Sequence, residues 1–130
     1  MSVVLIVDDE PAVREILSRW LSAAGYTTHQ AADAESALEL LATVPVAVAL
    51  CDQTMPGQGG RWLVTQIHEK FPRTAIIIAT GASVPSQVML QRGLAGYLSK
   101  PFSRALVVSA VEDAMAWHRV ASQSKQKPAP

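Results

Sequence analysis

The chain has 130 residues, and its eleven lysines and arginines balance its eleven aspartates and glutamates, so the formal net charge is zero. That length suits one compact domain, and the balanced charge argues against a protein that coats nucleic acid. The composition is 49% hydrophobic and 17% charged, which is too apolar for a disordered chain. A single cysteine excludes an intramolecular disulfide and a cysteine-cluster zinc site. No apolar run approaches the roughly 18 residues that span a bilayer, so we expect a cytoplasmic protein outside the membrane.

The first predicted elements are a buried strand and an amphipathic helix. Residues 3–7 form an unbroken aliphatic run, which is typical of a strand covered on both faces. Asp8 and Asp9 follow it, and Pro11 stands at a favourable first helical position. Apolar residues then recur at helical spacing as far as Gly25, a residue type that commonly ends helices. This stripe consists of Val13, Ile16, Leu17, Trp20, Leu21 and Ala24.

The same strand and helix order repeats along the rest of the chain. Further strands are predicted over 26–31, 46–51, 75–79 and 96–99, and further helices after Asp33, over 61–71, over 85–92 and after Ser103. The strand over 26–31 is short and partly polar, so we expect it at a sheet edge. The last helix carries its own apolar stripe, made of Leu106, Val107, Ala110, Val111, Ala114 and Trp117.

Five such units in succession predict a doubly wound α/β fold. Parallel strands need crossover helices, and right-handed crossovers distribute those helices over both faces of the sheet. We expect the domain to cover residues 1–120. The polar segment 121–130 lacks an apolar stripe and is predicted to be a tail or linker. The chain is then either a stand-alone domain or the front of a longer protein.

Charged and polar residues follow four of the predicted strands. Asp8 and Asp9 follow the first strand, Asp52 the third, Thr80 the fourth and Lys100 the fifth. Because the carboxyl ends of parallel strands share one edge of the sheet, these residues converge there. Three crowded carboxylates repel one another, and a hard divalent cation with a nearby ammonium relieves that repulsion. Mg²⁺ fits best, since it retains waters and completes its coordination with phosphate oxygens.

The order of these motifs is specific. Along the chain stand Asp8-Asp9, then Asp52 followed by Met55-Pro56-Gly57, then Thr80-Gly81, then Tyr97-Leu98-Ser99-Lys100-Pro101-Phe102. In this combination the chain resembles the receiver domain of bacterial two-component response regulators, over residues 1 to about 120. The resemblance implies a flavodoxin-like (βα)5 fold with a five-stranded parallel sheet in the order 2-1-3-4-5. The sequence departs from the common family pattern at Gly59, where an aspartate often stands.

The resemblance also implies the chemistry of the site. Asp52 is the expected phosphoacceptor, which takes a phosphoryl group from a sensor histidine kinase or a phosphotransfer protein. Asp9 is expected to bind Mg²⁺ directly and Asp8 mainly through water, while Asp52 and the backbone carbonyl of Thr54 complete the protein ligands. A carboxylate is already a nucleophile, so such a site has only to align it and neutralise the phosphoryl oxygens.

Lys100 and Thr80 are the residues expected to neutralise those oxygens. In such domains the threonine hydroxyl moves to the phosphoryl group and an aromatic ring, here Tyr97, turns inward. The signal would leave through the face built from helix four (85–92), strand five and helix five. The resemblance further implies a cis Lys100–Pro101 peptide bond, a signalling role rather than an enzymatic one, and an unidentified output domain or effector. It implies no direct nucleic acid binding by this domain, and it allows a homodimer that forms on phosphorylation.

Two other functions stay open from the residues themselves. One is a phosphorylation-independent interaction module on the same fold, in which the acidic pair only caps the first helix, Lys100 is solvated and Thr80 bonds to backbone. The other is a phosphohydrolase with an aspartate nucleophile. Such enzymes typically need a second acid two residues after the nucleophile, and Thr54 stands there.

Overall fold

The computed structural model describes residues 2–53, 57, 59–80 and 94–123. Its strands are β1 (Val3–Val7), β2 (Thr27–Ala31), β3 (Val48–Asp52), β4 (Ala75–Thr80) and β5 (Leu94–Ser99). Its helices are α1 (Pro11–Ala23), α2 (Ala34–Thr43), α3 (Gly60–Lys70) and a C-terminal helix (Arg104–Gln123). The predicted helix over 85–92 lies outside the described residues.

The five strands form one parallel sheet in the order β2-β1-β3-β4-β5. This confirms the predicted doubly wound, flavodoxin-like α/β architecture and the edge position of β2. The strand order reverses between β1 and β3, which pair with Val7 opposite Cys51. Residues that directly follow these two strands are therefore neighbours at the switch point, where open α/β sheets place their ligands.

Two apolar layers cover the sheet, one on each face. Alternate residues of a strand point to opposite faces, so Leu5 and Val7 belong to the layer with α2 and α3, whereas Val4 and Ile6 belong to the other. That second layer includes the buried residues of α1 and the C-terminal helix. β1 is covered on both faces, which explains why its sequence is continuously aliphatic.

Local signals fix the ends of several helices. The Asp33 carboxylate accepts a hydrogen bond from the Ser36 backbone N–H at 2.8 Å, and the Ser103 hydroxyl accepts one from Leu106 N at 3.1 Å. Gly25 follows α1 with a φ of +104°, a conformation that glycine adopts without a Cβ clash. These predicted caps are confirmed.

The predicted apolar stripes are wider than the faces that the helices bury. Leu106 is 60% exposed, and Trp117 and Ile16 are also exposed, although helical spacing placed all three in stripes. In the C-terminal helix the buried residues are Val107, Val111, Ala114 and Met115. A helix packed on one face of a sheet buries only the middle of its apolar arc, so residues at the margins contact solvent.

The C-terminal helix ends at Gln123, three residues past the predicted domain boundary, and 124–130 lie outside the described residues. Within the described part of the chain, no helix is both long and apolar enough to cross a membrane.

Candidate functional site

Three carboxylates meet at the carboxyl edge of the sheet. Asp8 directly follows β1, and Asp52 is the last residue of β3. Both are buried, with 2% and 5% of their surface exposed, whereas Asp9 is exposed. One carboxylate oxygen from each of the three lies within 4.8 Å of the others. The convergence predicted from strand order therefore holds for these three side chains.

Lys100 reaches the same cluster from β5. Its Nζ lies 3.4 Å from Asp8 Oδ2 and 3.7 Å from Asp52 Oδ1. The lysine side chain is largely buried, so its charge is screened less than that of a surface lysine. The Lys100–Pro101 peptide bond is cis, as the resemblance implied. Three carboxylates and one ammonium leave a formal charge of −2 among these four side chains.

Three further polar atoms of Asp8 have hydrogen-bond partners near the turn between β1 and α1. Asp8 Oδ1 accepts a hydrogen bond from Glu10 N at 2.9 Å, and the Asp8 backbone N–H donates to Ala31 O at 3.1 Å. The Asp8 carbonyl oxygen accepts a hydrogen bond from Arg14 Nη1 at 2.7 Å. Arg14 lies in the first turns of α1 and belongs to no motif in the sequence, so this contact was not predicted.

Gly60 brings α3 close to the main chain of Asp52. The Gly60 N–H donates to Gln53 O at 3.0 Å, and a Cβ at position 60 would lie 2.2 Å from Asp52 O. Only glycine permits that approach. The predicted helix begins at residue 61, whereas the structure begins α3 one residue earlier, at Gly60. The preceding residue, Gly59, is the N-cap and offers no side-chain hydrogen bond.

The donor set suits a hard divalent cation. Carboxylate oxygens are the ligands that Mg²⁺ prefers, and the formal charge of −2 balances its own charge. Asp8, Asp9 and Asp52 are the described residues whose oxygens are close enough to share one ion. The fourth expected ligand, the carbonyl of Thr54, lies outside the described residues.

The two expected switch residues sit on β4 and β5. Thr80 ends β4 and pairs with Ser99, although its side chain lies outside the described part. Tyr97 pairs with Ile78 and is 47% exposed. Its ring is therefore accessible at the outer edge strand of the sheet.

Cys51 immediately precedes Asp52 but takes a different role. Its thiol is fully buried, and that burial, with a smaller contribution from the Asp52 charge, raises its pKa to about 12. A thiol that remains protonated is a poor nucleophile and metal ligand. Cys51 is thus a core residue behind the site.

Comparison with known proteins gives a consistent result. Residues 4–112 match the family model described as the response regulator receiver domain. The DNA-binding transcriptional regulator NtrC of Escherichia coli K12 is 34% identical over 97% of this chain and 26% of its own length. The transcriptional regulatory protein FixJ of Azorhizobium caulinodans is 31% identical over 95% of this chain and 59% of its own length.

Solved structures share the fold along most of the chain. The chemotaxis response regulator CheY4 of Vibrio cholerae has a TM-score of 0.82 and 29% identity, with 88% of this chain and 98% of that chain covered. The response regulator TrrA of Thermotoga maritima, in complex with Mg²⁺ and BeF, has a TM-score of 0.81 and 28% identity, with coverages of 88% and 99%. This chain spans about a quarter of the length of NtrC. The family match, the strand order and the acidic edge agree, and the chain belongs to the response regulator receiver domain family.

Proposed function

We propose that Asp52 accepts a phosphoryl group from a sensor histidine kinase or phosphotransfer protein, and that its phosphorylation switches a signalling surface. The observation that carries the proposal is the position of the Asp52 carboxylate. It lies at the sheet edge beside two further carboxylates and within 3.7 Å of the Lys100 ammonium. Receiver domains of response regulators are signalling domains, and the family match therefore supports a switch rather than an enzyme.

The transfer needs little from the protein beyond alignment and charge. An Asp52 carboxylate oxygen forms the new P–O bond while the P–N bond of the donor phosphohistidine breaks, and the electron pair goes to the histidine nitrogen. No general base is required, because the attacking group is a carboxylate and has no proton to lose. Lys100 donates hydrogen bonds to the incoming phosphoryl oxygens and offsets their charge.

Asp8, Asp9 and Asp52 would hold Mg²⁺, together with the Thr54 carbonyl. Bound Mg²⁺ supplies positive charge against the phosphoryl oxygens as they approach the carboxylate. The 4.8 Å cluster of carboxylate oxygens supports this ligand set. The presence of Mg²⁺ and BeF in the related TrrA complex supports the choice of metal.

The signal is proposed to travel through Thr80 and Tyr97. When a phosphoryl group is present, the Thr80 hydroxyl would bond to it and the Tyr97 ring would turn inward, which favours one arrangement of the surface near β5 over the other. The exposure of Tyr97 leaves its ring room to move. The face from 85–92 through β5 to the C-terminal helix would then contact an output domain or effector.

The partners of this chain follow from its relatives only as proposals. NtrC and FixJ are named as transcriptional regulators and are longer than this chain. We propose that this chain is cytoplasmic, that its partner is a sensor histidine kinase or a phosphotransfer protein, and that a separate domain or protein carries a transcriptional output. The receiver domain itself would not touch nucleic acid, in keeping with its zero net charge.

Phosphorylation by a small-molecule donor tests the central claim. The full chain is incubated with acetyl phosphate and Mg²⁺, and the intact mass is measured by electrospray. We expect the mass of one added phosphoryl group, and no added mass when the metal is chelated before the donor is added. Asp52→Asn should abolish the adduct. Asp33→Asn, a matched change at an aspartate that caps α2, should leave it unchanged.

No adduct on the wild type, or an adduct that persists in Asp52→Asn, would refute the assignment of Asp52.

The switch is tested separately by ¹⁹F NMR of 3-fluorotyrosine in a Tyr26→Phe variant, which leaves Tyr97 as the one tyrosine in the chain. Addition of Mg²⁺ with beryllium fluoride should shift the Tyr97 signal. An unmoved signal in a protein that binds the complex would contradict the proposed motion.

A further inference from the structure

Arg14 is a cation at the rim of the acidic site that the proposed chemistry does not use. It lies on the second turn of α1, with its side chain partly buried. Its Nη1 donates to the Asp8 carbonyl oxygen at 2.7 Å, and its Nε donates to Gln30 Oε1 on β2 at 3.3 Å. The guanidinium therefore bridges the β1–α1 turn to the neighbouring strand.

The carbonyl that Arg14 holds belongs to the peptide group between Asp8 and Asp9. That group is planar, so a bond that fixes the carbonyl also fixes the direction in which the Asp9 backbone leaves it. Both flanking side chains are members of the carboxylate cluster. One hydrogen bond can thus orient two of the three carboxylates at once.

The other contacts of Asp8 act at different atoms. The bond from Asp8 N to Ala31 O fixes the end of β1, and the bond from Glu10 N to Asp8 Oδ1 closes a turn that contains the Asp8–Asp9 peptide group. Arg14 adds a bond to the carbonyl oxygen of that group, and a guanidinium with several fixed donors suits its double contact with Asp8 and Gln30.

We propose that Arg14 is a positioning residue that sets the Asp8–Asp9 peptide plane and so raises the affinity of the carboxylate cluster for Mg²⁺. The inference rests on the proposed function, because it takes Mg²⁺ as the ion of this site. Groups that hold metal ligands in place typically change metal affinity by about 10-fold to 100-fold when they are removed.

A positioning role and a simple charge effect predict opposite signs. If Arg14 acted only as a nearby positive charge, its loss would strengthen Mg²⁺ binding, since cations repel. If it sets the peptide plane, its loss weakens binding, because the two carboxylates lose their shared orientation. The direction in which Mg²⁺ affinity changes therefore distinguishes a positioning role from a charge effect.

The experiment titrates MgCl₂ into the full chain by isothermal calorimetry, with no phosphodonor present. We expect Arg14→Met to weaken Mg²⁺ binding about tenfold. Arg14→Lys keeps the charge but has only one donor nitrogen in place of the two that contact Asp8 and Gln30, so its Mg²⁺ affinity should fall less than that of Arg14→Met. Arg19→Met is the matched control, since Arg19 lies on the same helix and pairs on the surface with Glu15. It should bind Mg²⁺ as the wild type does.

Phosphorylation by acetyl phosphate at increasing Mg²⁺ gives a second readout. Arg14→Met should need more Mg²⁺ for half-maximal rate yet approach the wild-type rate at saturation, which a general loss of stability would not produce. Equal or tighter Mg²⁺ binding by a folded Arg14→Met variant would overturn the inference. If that variant does not fold, unchanged binding by both Arg14→Lys and Gln30→Ala would overturn it. A wild-type chain that binds no Mg²⁺ would instead refute the proposed metal site.

Discussion

The two ends of the sheet treat buried polar groups in opposite ways. At the amino end, Thr74 precedes β4 and is buried, and its hydroxyl donates to the Val46 carbonyl at 2.9 Å. At the carboxyl end, Asp8 and Asp52 are equally buried but carry like charges, with Lys100 as a shared counterion. The buried polar side chain at the amino end is uncharged and bonds to the main chain, whereas the buried side chains at the carboxyl end concentrate negative charge.

That difference separates a stabilising contact from a binding site. A neutral buried hydroxyl with one partner contributes modestly to stability. Buried like charges destabilise the fold unless a counterion arrives, so they persist where binding that counterion is useful. Apolar layers lie between the two ends and cover both faces of β1 and β3, the strands that position Asp8 and Asp52.

The largest expected effect comes from the glycine behind Asp52. Gly60→Ala would place a Cβ 2.2 Å from Asp52 O and 2.7 Å from Gln53 Cα, so the end of β3 or the start of α3 must shift. We expect a loss of about 3 kcal/mol in unfolding free energy by urea denaturation. Mg²⁺ binding should weaken with it, because Asp52 moves.

Gly59→Ala is the neighbouring control. Its Cβ would meet its nearest atom, Gln53 O, at an ordinary 3.6 Å, and its backbone is extended. Because glycine is favoured over alanine at an N-cap, its unfolding free energy should fall by no more than about 1 kcal/mol, well short of the Gly60→Ala loss. If the two alanine variants were equally stable, the close approach of Gly60 to Asp52 would not constrain the site.

Removal of the shared counterion should affect metal binding and phosphorylation in opposite directions. Lys100→Met removes an ammonium that competes with Mg²⁺ for Asp8 and Asp52, so Mg²⁺ should bind several-fold more tightly. Phosphorylation by acetyl phosphate should nevertheless slow by about 100-fold, as is typical when one charge-stabilising donor is lost. Lys70→Met, at an exposed lysine of α3, should change neither. Weaker Mg²⁺ binding by Lys100→Met would contradict this role.

Much of the acidic edge could be predicted because it depends on topology. Strand ends and their residue types are readable along the chain, and parallel order then brings Asp8, Asp9, Asp52 and Lys100 together. The approach of Gly60 to Asp52 was not predicted, because it depends on how α3 crosses the end of β3.

The unpredicted details share one cause. The Arg14 bond to the Asp8 carbonyl depends on a rotamer and on the geometry of one turn, neither of which hydrophobic periodicity encodes. The predicted burial at the margins of the helical stripes was wrong for a related reason. Spacing gives the direction of the buried face, but neighbouring elements set its width, so Leu106 and Trp117 are exposed.

A smaller effect is expected at the amino end of the sheet. Thr74→Val keeps the side-chain shape but removes the hydroxyl that bonds to Val46 O, so the unfolding free energy should fall by about 1 kcal/mol. Mg²⁺ affinity should not change, since the two ends are separated by the length of the sheet. Thr43→Val removes an exposed hydroxyl at the end of α2 and should be nearly neutral. A change in Mg²⁺ affinity in Thr74→Val would mean that the two ends are coupled.

The smallest expected effect concerns a carboxylate that follows β2 at the acidic edge but caps a helix. The backbone N–H of Ser36 donates to Asp33 and lowers the pKa of that carboxyl below its ordinary value. A lowered folded-state pKa means that Asp33 contributes stability above its unfolded pKa of about 3.9, and that this contribution is lost as pH falls through the folded value. Asparagine also accepts the capping bond but does not titrate.

Asp33→Asn should therefore be as stable as the wild type at neutral pH. It should lose less stability on acidification, as measured by urea midpoints at successive pH values below about 5. Its Mg²⁺ affinity should equal that of the wild type, because the Asp33 carboxylate is engaged by α2 rather than by the cluster. If the urea midpoints of the two proteins fell equally as the pH was lowered, the capping bond would not depend on the charge of Asp33. Weakened Mg²⁺ binding in Asp33→Asn would mean instead that the acidic edge extends beyond β1 and β3, so this small substitution sets the boundary of the site.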